Sequence, residues 1–227
     1  PLPLPREVTE SSKEAVFKEF AIRLEAILLR HQNVVSTMGM GILELKQSQQ
    51  NQDEEMFSRL KEFLDRFYMS RIGLRTHMEQ YLSVYASPHS NVDENQMGIF
   101  SLDCNIKEII EHAACHTSDL CKSNFCDAPS VEIHVFSDAT TKIVYCPSHL
   151  HYIITELLKN SMRAVVEFHG EDKLEYPPII VNVYMHNQEL VIKISDKGGG
   201  IPQEDRPKLF SYSYSTAQRP DLVSLRM

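Results

Sequence analysis

No stretch of the 227-residue chain stays apolar for the roughly 18 to 20 residues that a membrane-crossing helix needs, so no span is expected. Residues 1–7 lack the apolar centre of a secretory signal peptide, and no targeting peptide is visible. Basic clusters are missing too. The 23 Lys and Arg are outnumbered by 31 Asp and Glu, the formal charge is −8, and no positive stripe exists to follow a phosphate backbone. Nucleic acid is therefore not an expected partner. The five cysteines contain no C-x-x-C pair and are odd in number, which fits free thiols in a reducing compartment better than a disulfide framework. His112, Cys115 and His116 imitate a metal site on one helix face, but no second ligand pair with zinc-like spacing follows them. What the chain does have is core material: 42% of its residues are hydrophobic, and its length suits two domains.

Two periodicities divide it. From residue 24 to 45 a heptad-like stripe runs Leu24, Leu28, His31, Val35, Met38, Ile42, Leu45, which predicts one long amphipathic helix. After a polar stretch the spacing resumes as Leu60, Leu64, Phe67, Arg71, Leu74, Met78, Tyr81, Tyr85. A short connection makes the two helices antiparallel neighbours in a bundle. His31 and Arg71 each interrupt a stripe, and at about 1.5 Å per residue both fall roughly 30 Å from the turn, at one level of the bundle. Two readings stay open. Each is a tolerated polar residue, with Arg71 reaching water or an acid such as Asp65, or the two form a buried cationic pocket for a small anion.

Residues 86–98 are rich in Ser, Pro, Asn and Asp and read as the linker. The domain division follows: 1–97 a partial helical regulatory bundle, 98–227 a second domain. In that domain, residues 104–121 predict a helix. Val131-Glu-Ile-His-Val-Phe136 alternates as a strand, and residues 142–146 are expected to pair with it as a hairpin. Pro147 opens and Gly170 closes a further helix. Residues 179–185 and 190–195 form a second hairpin. The fold class is α+β.

On the helix from Pro147, the set Leu150, Ile153, Ile154, Leu157, Leu158 and Val165 is expected to face the core. That leaves Glu156, Asn160 and Arg163 as one polar row at i, i+4, i+7. A carboxylate can take a hydroxyl proton, an amide oxygen can ligate Mg²⁺, and a guanidinium can meet phosphate. Such a row alone is usually a solvated face. Its weight comes from Ile194-Ser-Asp-Lys-Gly-Gly-Gly-Ile201 downstream. There Asp196 at a strand end can accept from an exocyclic amine, and Gly198 and Gly200 permit unusual backbone angles and close approach.

Glu156-Leu-Leu-Lys-Asn160-Ser-Met-Arg163-Ala and Asp196-Lys-Gly-Gly-Gly200 resemble the N-box and first G-box of the GHKL ATPase/kinase superfamily. Phe210-Ser-Tyr-Ser-Tyr-Ser-Thr-Ala217 and Pro147-Ser-His-Leu resemble more narrowly the mitochondrial kinases of α-keto acid dehydrogenase complexes. Phe63-Leu-Asp-Arg-Phe-Tyr-Met-Ser-Arg71 and Arg30-His-Gln-Asn-Val-Val35 are similar to the pyruvate dehydrogenase branch. The resemblance covers nearly the whole chain. It implies a four-helix-type bundle followed by a GHKL α/β sandwich, incomplete at its C-terminus. It implies an ATP- and Mg²⁺-dependent protein-serine kinase of the mitochondrial matrix that inactivates the E1α subunit of the pyruvate dehydrogenase complex, as a homodimer docked on a lipoyl domain. Glu156 would be the general base and Asn160 the Mg²⁺ ligand. Leu157, Leu158, Lys159, Ser161, Met162 and Arg163 would complete the nucleotide-binding stretch with them. Asp196 would read adenine beside Gly198 and Gly200, Ser215 and Thr216 would border the nucleotide, and His31 and Arg71 would line a pocket for pyruvate-like anions.

The chain departs from that pattern in two ways. No glycine follows Gly200, so the family's second glycine loop is not in this chain, and residues 220–227 do not resemble the family. The expectation is a truncated product, and a catalytically dead binding module is the alternative. One turn before Glu156 the family's pyruvate branch has a histidine; Tyr152 stands there, as in the branched-chain keto acid kinases, which leaves the substrate branch open.

Overall fold

The computed structural model describes residues 10–48, 54–86, 95–137, 143–171, 173–186 and 189–212. The chain divides into two compact units, one from Pro1–Ala86 with Gln203–Met227, the other Ser87–Pro202.

In the first unit the helices are α1 (Glu10–Arg30), α2 (Val34–Ser48) and α3 (Glu54–Ala86), with a 3₁₀ turn at Arg206–Lys208. The single helix expected over residues 24–45 is broken at 31–33. The cause is local competition for carbonyls. His31 Nδ1 lies 2.8 Å from Ile27 O. Gln32 N–H bonds Leu29 O in a tighter 3₁₀ step, and Asn33 O collects Thr37 N–H together with the Ser36 and Thr37 hydroxyls. The stripe does not stay on one buried face across the break: Leu24 and Ile42 are buried, whereas Val35 just after it is 48% exposed. Ala21 and Leu64 are buried as well. Phe20 meets Tyr81 edge to face at 5.0 Å while His31 meets Arg71 farther along, so α1 and α3 run antiparallel.

In the second unit a small hairpin, β1 (Gln96–Met97) with β2 (Phe100–Ser101), precedes α4 (Ile106–Phe125), β3 (Val131–Ser137), α5 (Pro147–His169), β4 (Ile179–His186) and β5 (Glu189–Ser195). The sheet order is β3-β4-β5. The hairpin expected between β3 and residues 142–146 does not form: β3 pairs in parallel with β4 from Val131↔Ile179 to Ser137↔Met185, and α5 is the crossover. Residues 143–145 instead lie antiparallel beside the start of α4, with Ser101 bridging Tyr145 and Cys104 N–H bonding Ile143 O at 2.9 Å. Burial decides this. β4 has Ile179, Val181 and Val183 wholly inaccessible and needs a strand on each side, whereas Ile143 and Cys146 reach the core from the α4 side. The second expected hairpin is present, β4 with β5, from Ile180↔Ser195 to His186↔Glu189. Helices α4 and α5 cover one sheet face and bury Ile106, Ile110, Ile154, Leu158, Met162 and Val165 against it.

Candidate functional site

Helix α5 carries most of the candidate residues. Pro147 occupies its first turn, where a missing N–H costs nothing. Gly170 ends it at φ 89°, a conformation that favours glycine, with its N–H on Val166 O. The buried arc is Leu150, Ile154, Thr155, Leu158, Ser161, Met162, Val165 and Val166. Ile153 and Leu157, expected in the core, are 44% and 48% exposed. α5 is gripped by α4 on one side and the sheet on the other, which rotates the covered arc toward Ser161 and Met162 and leaves 153, 157 and 160 together on an open face. Leu158 and Met162 spend their side chains on the core, so only their backbone can border a ligand.

On the open face, Glu156 is half-buried and both its carboxylate oxygens accept from Lys159 Nζ, at 3.0 and 3.1 Å. Asn160 is exposed, and its amide makes no hydrogen bond among the described residues. Arg163 Nε lies 3.3 Å from Glu167 Oε1. Tyr152 sits one turn before Glu156. Burial, and secondarily the Glu156 charge, push its phenol above the usual value, so it stays a neutral hydroxyl.

Asp196 follows β5 directly, and the fold carries its carboxylate to α5. Ser161 Oγ donates to Oδ2 at 3.0 Å and Gly198 N–H donates to Oδ1 at 3.0 Å. Each oxygen keeps capacity for another donor. Gly198 is needed for contact: a Cβ there would lie 2.6 Å from Ala164 Cβ and 2.7 Å from its carbonyl carbon. Gly200 is needed for conformation, at φ +75°. Sequence reasoning missed Gly199, which needs both, at φ +81° with Phe168 2.5 Å from where a Cβ would stand. The triplet itself was the available signal; which neighbour each glycine admits was not in it.

The other candidates lie in the helical unit. Arg71 Nη2 donates at 2.9 Å to the His31 carbonyl, which also accepts the Val34 N–H at 3.4 Å in the turn between α1 and α2. The two residues line a cavity of about 570 Å³ with Leu28, Phe67, Leu74 and Arg75. His31 is exposed and Arg71 half-buried, so the cavity is open rather than buried as one of the two readings had it. Desolvation, then the neighbouring Arg75, lowers the Arg71 pKa. Ser215 and Thr216 lie outside the described residues. The segment leading to them is held on α3: Tyr212 Oη donates to Asp65 Oδ1 at 2.7 Å, its ring 5.4 Å from that of Tyr68. Lys61 bonds the other Asp65 oxygen at 2.8 Å and is the main reason the Asp65 carboxyl titrates below its ordinary range, with Tyr212 second.

The Asp65 bond pushes the Tyr212 phenol up to about 12. A phenol raised in the folded state stabilises the fold fully below its unfolded pKa of 10.0 and loses that contribution as pH climbs toward 12. Ultraviolet titration of tyrosinate is therefore expected to show a component near 12. Tyr212→Phe removes it and Asp65→Asn moves it down; a titration unchanged by either substitution would count against the bond.

Among the described residues, no group of three His, Cys, Asp or Glu is arranged to hold a metal, and no helix is long and apolar enough to cross a membrane. His116 stacks on His151 of α5 with ring centroids 6.0 Å apart.

Residues 146–223, which include α5, β5 and the glycine loop, match the family model of the histidine kinase-, DNA gyrase B- and HSP90-like ATPases. Residues 4–101 match that of the mitochondrial branched-chain alpha-ketoacid dehydrogenase kinase. The chain is 37% identical over 216 residues to a mitochondrial [pyruvate dehydrogenase (acetyl-transferring)] kinase of Drosophila melanogaster, covering 92% of this chain and 52% of that protein. It belongs to the mitochondrial α-keto acid dehydrogenase kinase family. Two further members are the Schizosaccharomyces pombe kinase of the same name, 39% identical over 198 residues (87% of this chain, 45% of that protein), and human kinase isozyme 3, 36% identical over 201 residues (87% and 49%). The chain spans about half the length of the curated relatives it matches. Within the family, its ATPase-like part is residues 146–223, with an N-terminal helical region before it.

Proposed function

We propose that this protein is an ATP-dependent protein-serine kinase that phosphorylates and inactivates the E1α subunit of the pyruvate dehydrogenase complex in the mitochondrial matrix. The observation that carries this reading is the Asp196 carboxylate, held by the loop's own Gly198 amide and by Ser161 of α5, the helix that also bears Glu156, Asn160 and Arg163. Asp196 reads the adenine amine, and Gly198 and Gly200 let the loop backbone approach it. Asn160 fits Mg²⁺: its amide oxygen is exposed and uncommitted, and that ion takes few protein ligands beside water and phosphate. The bound ion would neutralise phosphoryl charge. Glu156 accepts the proton of the substrate serine. Glu156 is paired with Lys159, and transfer of this kind depends on positioning more than on deprotonation. Arg163 meets the phosphates.

The proposed domain division is a regulatory bundle over 1–97 and a kinase domain over 98–227. His31 and Arg71 offer the bundle's anion pocket, and Ser215 and Thr216 border the nucleotide. Docking on a lipoyl domain and homodimer formation complete the proposal. A branched-chain substrate is the second reading, supported by Tyr152 one turn before Glu156 and by the family matched over residues 4–101.

The test is phosphate transfer from ATP to E1α peptides of both complexes, beside calorimetric titration with Mg²⁺-ATP. Glu156→Gln is expected to lower transfer by about 10²- to 10⁴-fold with Mg²⁺-ATP affinity nearly unchanged. Transfer equal to that of the unsubstituted chain would remove Glu156 from the base role. Binding without any transfer by the unsubstituted chain would leave a binding module.

A further inference from the structure

The glycine loop lies along one side of α5 and is held there at four points. Ser161 bonds Asp196, Ala164 abuts Gly198, Phe168 abuts Gly199, and His169 Nε2 lies 3.0 Å from Lys197 O. Relative to Ser161 these are helix positions i, i+3, i+7 and i+8, which share one face. They engage every loop residue from 196 to 199. The glycine contacts are steric and tolerate sliding; the Ser161 and His169 bonds are directional and set the loop's orientation.

The histidine bond is itself set by a further residue. Lys173 Nζ lies 3.0 Å from His169 Nδ1. An ammonium has only protons to give, so Nδ1 accepts, the ring proton resides on Nε2, and Nε2–H donates to the Lys197 carbonyl. Lys173 thereby selects the tautomer that bonds the loop. The Lys197 carbonyl shares its planar peptide with the Gly198 N–H, so fixing that carbonyl also fixes the donor that holds Asp196 Oδ1.

We infer that His169 is a positioning residue for nucleotide binding: it pins the Lys197 peptide so that the Asp196 carboxylate already points at the adenine position before a nucleotide arrives. His169 acts on the loop backbone, and Lys173 acts through His169. The inference rests on the nucleotide reading of Asp196 given above. Pre-orientation of this kind lowers the ordering cost of binding, so its loss weakens affinity without removing any contact to the ligand.

The experiment uses the full chain with His169→Ala, His169→Gln and Lys173→Met. It measures ADP–Mg²⁺ affinity by calorimetry and, without nucleotide, amide hydrogen exchange across residues 196–200. His169→Ala is expected to weaken ADP about tenfold and to speed loop exchange, while His169→Gln, whose amide nitrogen replaces Nε2 as donor, stays within about twofold on both. Lys173→Met is expected to fall between them. Unchanged loop exchange in His169→Ala overturns the inference, and so does a glutamine variant as impaired as the alanine one, which would mean that the ring's bulk matters and its hydrogen bond does not. No ADP binding by the unsubstituted chain would instead overturn the nucleotide reading, and the role of His169 in it, whatever the exchange of the loop.

Discussion

Asp196→Ala is expected to weaken Mg²⁺-ATP or ADP binding by at least about a hundredfold, the equivalent of about 3 kcal/mol. Two losses add. The adenine amine loses its acceptor, and the Ser161 hydroxyl and Gly198 N–H lose the oxygen they share. A polar group left without its partner costs about 1 to 3 kcal/mol, and Ser161 is buried, so water repairs that side poorly. Asp196→Asn separates the two effects. Its amide oxygen still receives one of the two protein donors, but its NH₂ presents protons to an amine that needs an acceptor. The fold should therefore survive in the asparagine variant while nucleotide affinity falls nearly as far. Calorimetry on both variants, with circular dichroism to confirm folding, decides it; an asparagine variant that binds like the unsubstituted chain would take adenine recognition away from Asp196.

Gly198→Ala is expected to cost more stability than Gly200→Ala, about 2 to 3 kcal/mol in urea unfolding of the second unit. The added methyl meets a backbone carbon of α5 at 2.7 Å as well as the Ala164 methyl at 2.6 Å, and a helix backbone does not yield as a side-chain tip does. Ala164→Gly in the same chain removes one of these contacts and leaves the other, so it should restore only part of the loss. Gly200→Ala makes a useful comparison. It has open space around the new methyl but a φ of +75°, so only conformational strain of about 1 to 2 kcal/mol is expected. If Gly200→Ala proved the more damaging, conformation would outrank close approach in this loop.

Both predictions concern residues whose chemical types could be read from the chain, and the structure shows how far such reading extends. The limits of α5 were legible because Pro147 and Gly170 act locally, one on its own φ and N–H, the other on the last turn. The β4–β5 hairpin was legible because period-two alternation on either side of a short polar turn leaves few other arrangements. The Glu156, Asn160, Arg163 row followed from helical spacing alone. Ile153 and Leu157 were misplaced because periodicity reports which residues are apolar and not how wide an arc the neighbours cover; α4 and the sheet together cover the arc that includes Ser161. The hairpin expected over residues 142–146 had sound local signals and lost to a pairing between residues 48 apart, Val131 with Ile179. The break at 31–33 was hidden because its cause, side chains and a 3₁₀ step competing for carbonyls, leaves the heptad spacing intact.

By itself the sequence determined the fold class, the helix that carries the candidate base and metal ligand, the loop with its acidic residue, and the family, because each depends on residue types and spacings within one element. Only the tertiary structure decided that β3 runs parallel to β4, that Ser161 and Gly198 share the Asp196 carboxylate, that His169 reaches the Lys197 carbonyl, and that Arg71 bonds the carbonyl of His31. Each of those joins groups from separate segments of chain. No local pattern specifies such a partner, because it is selected by which arrangement buries the most apolar surface while leaving the buried polar groups bonded.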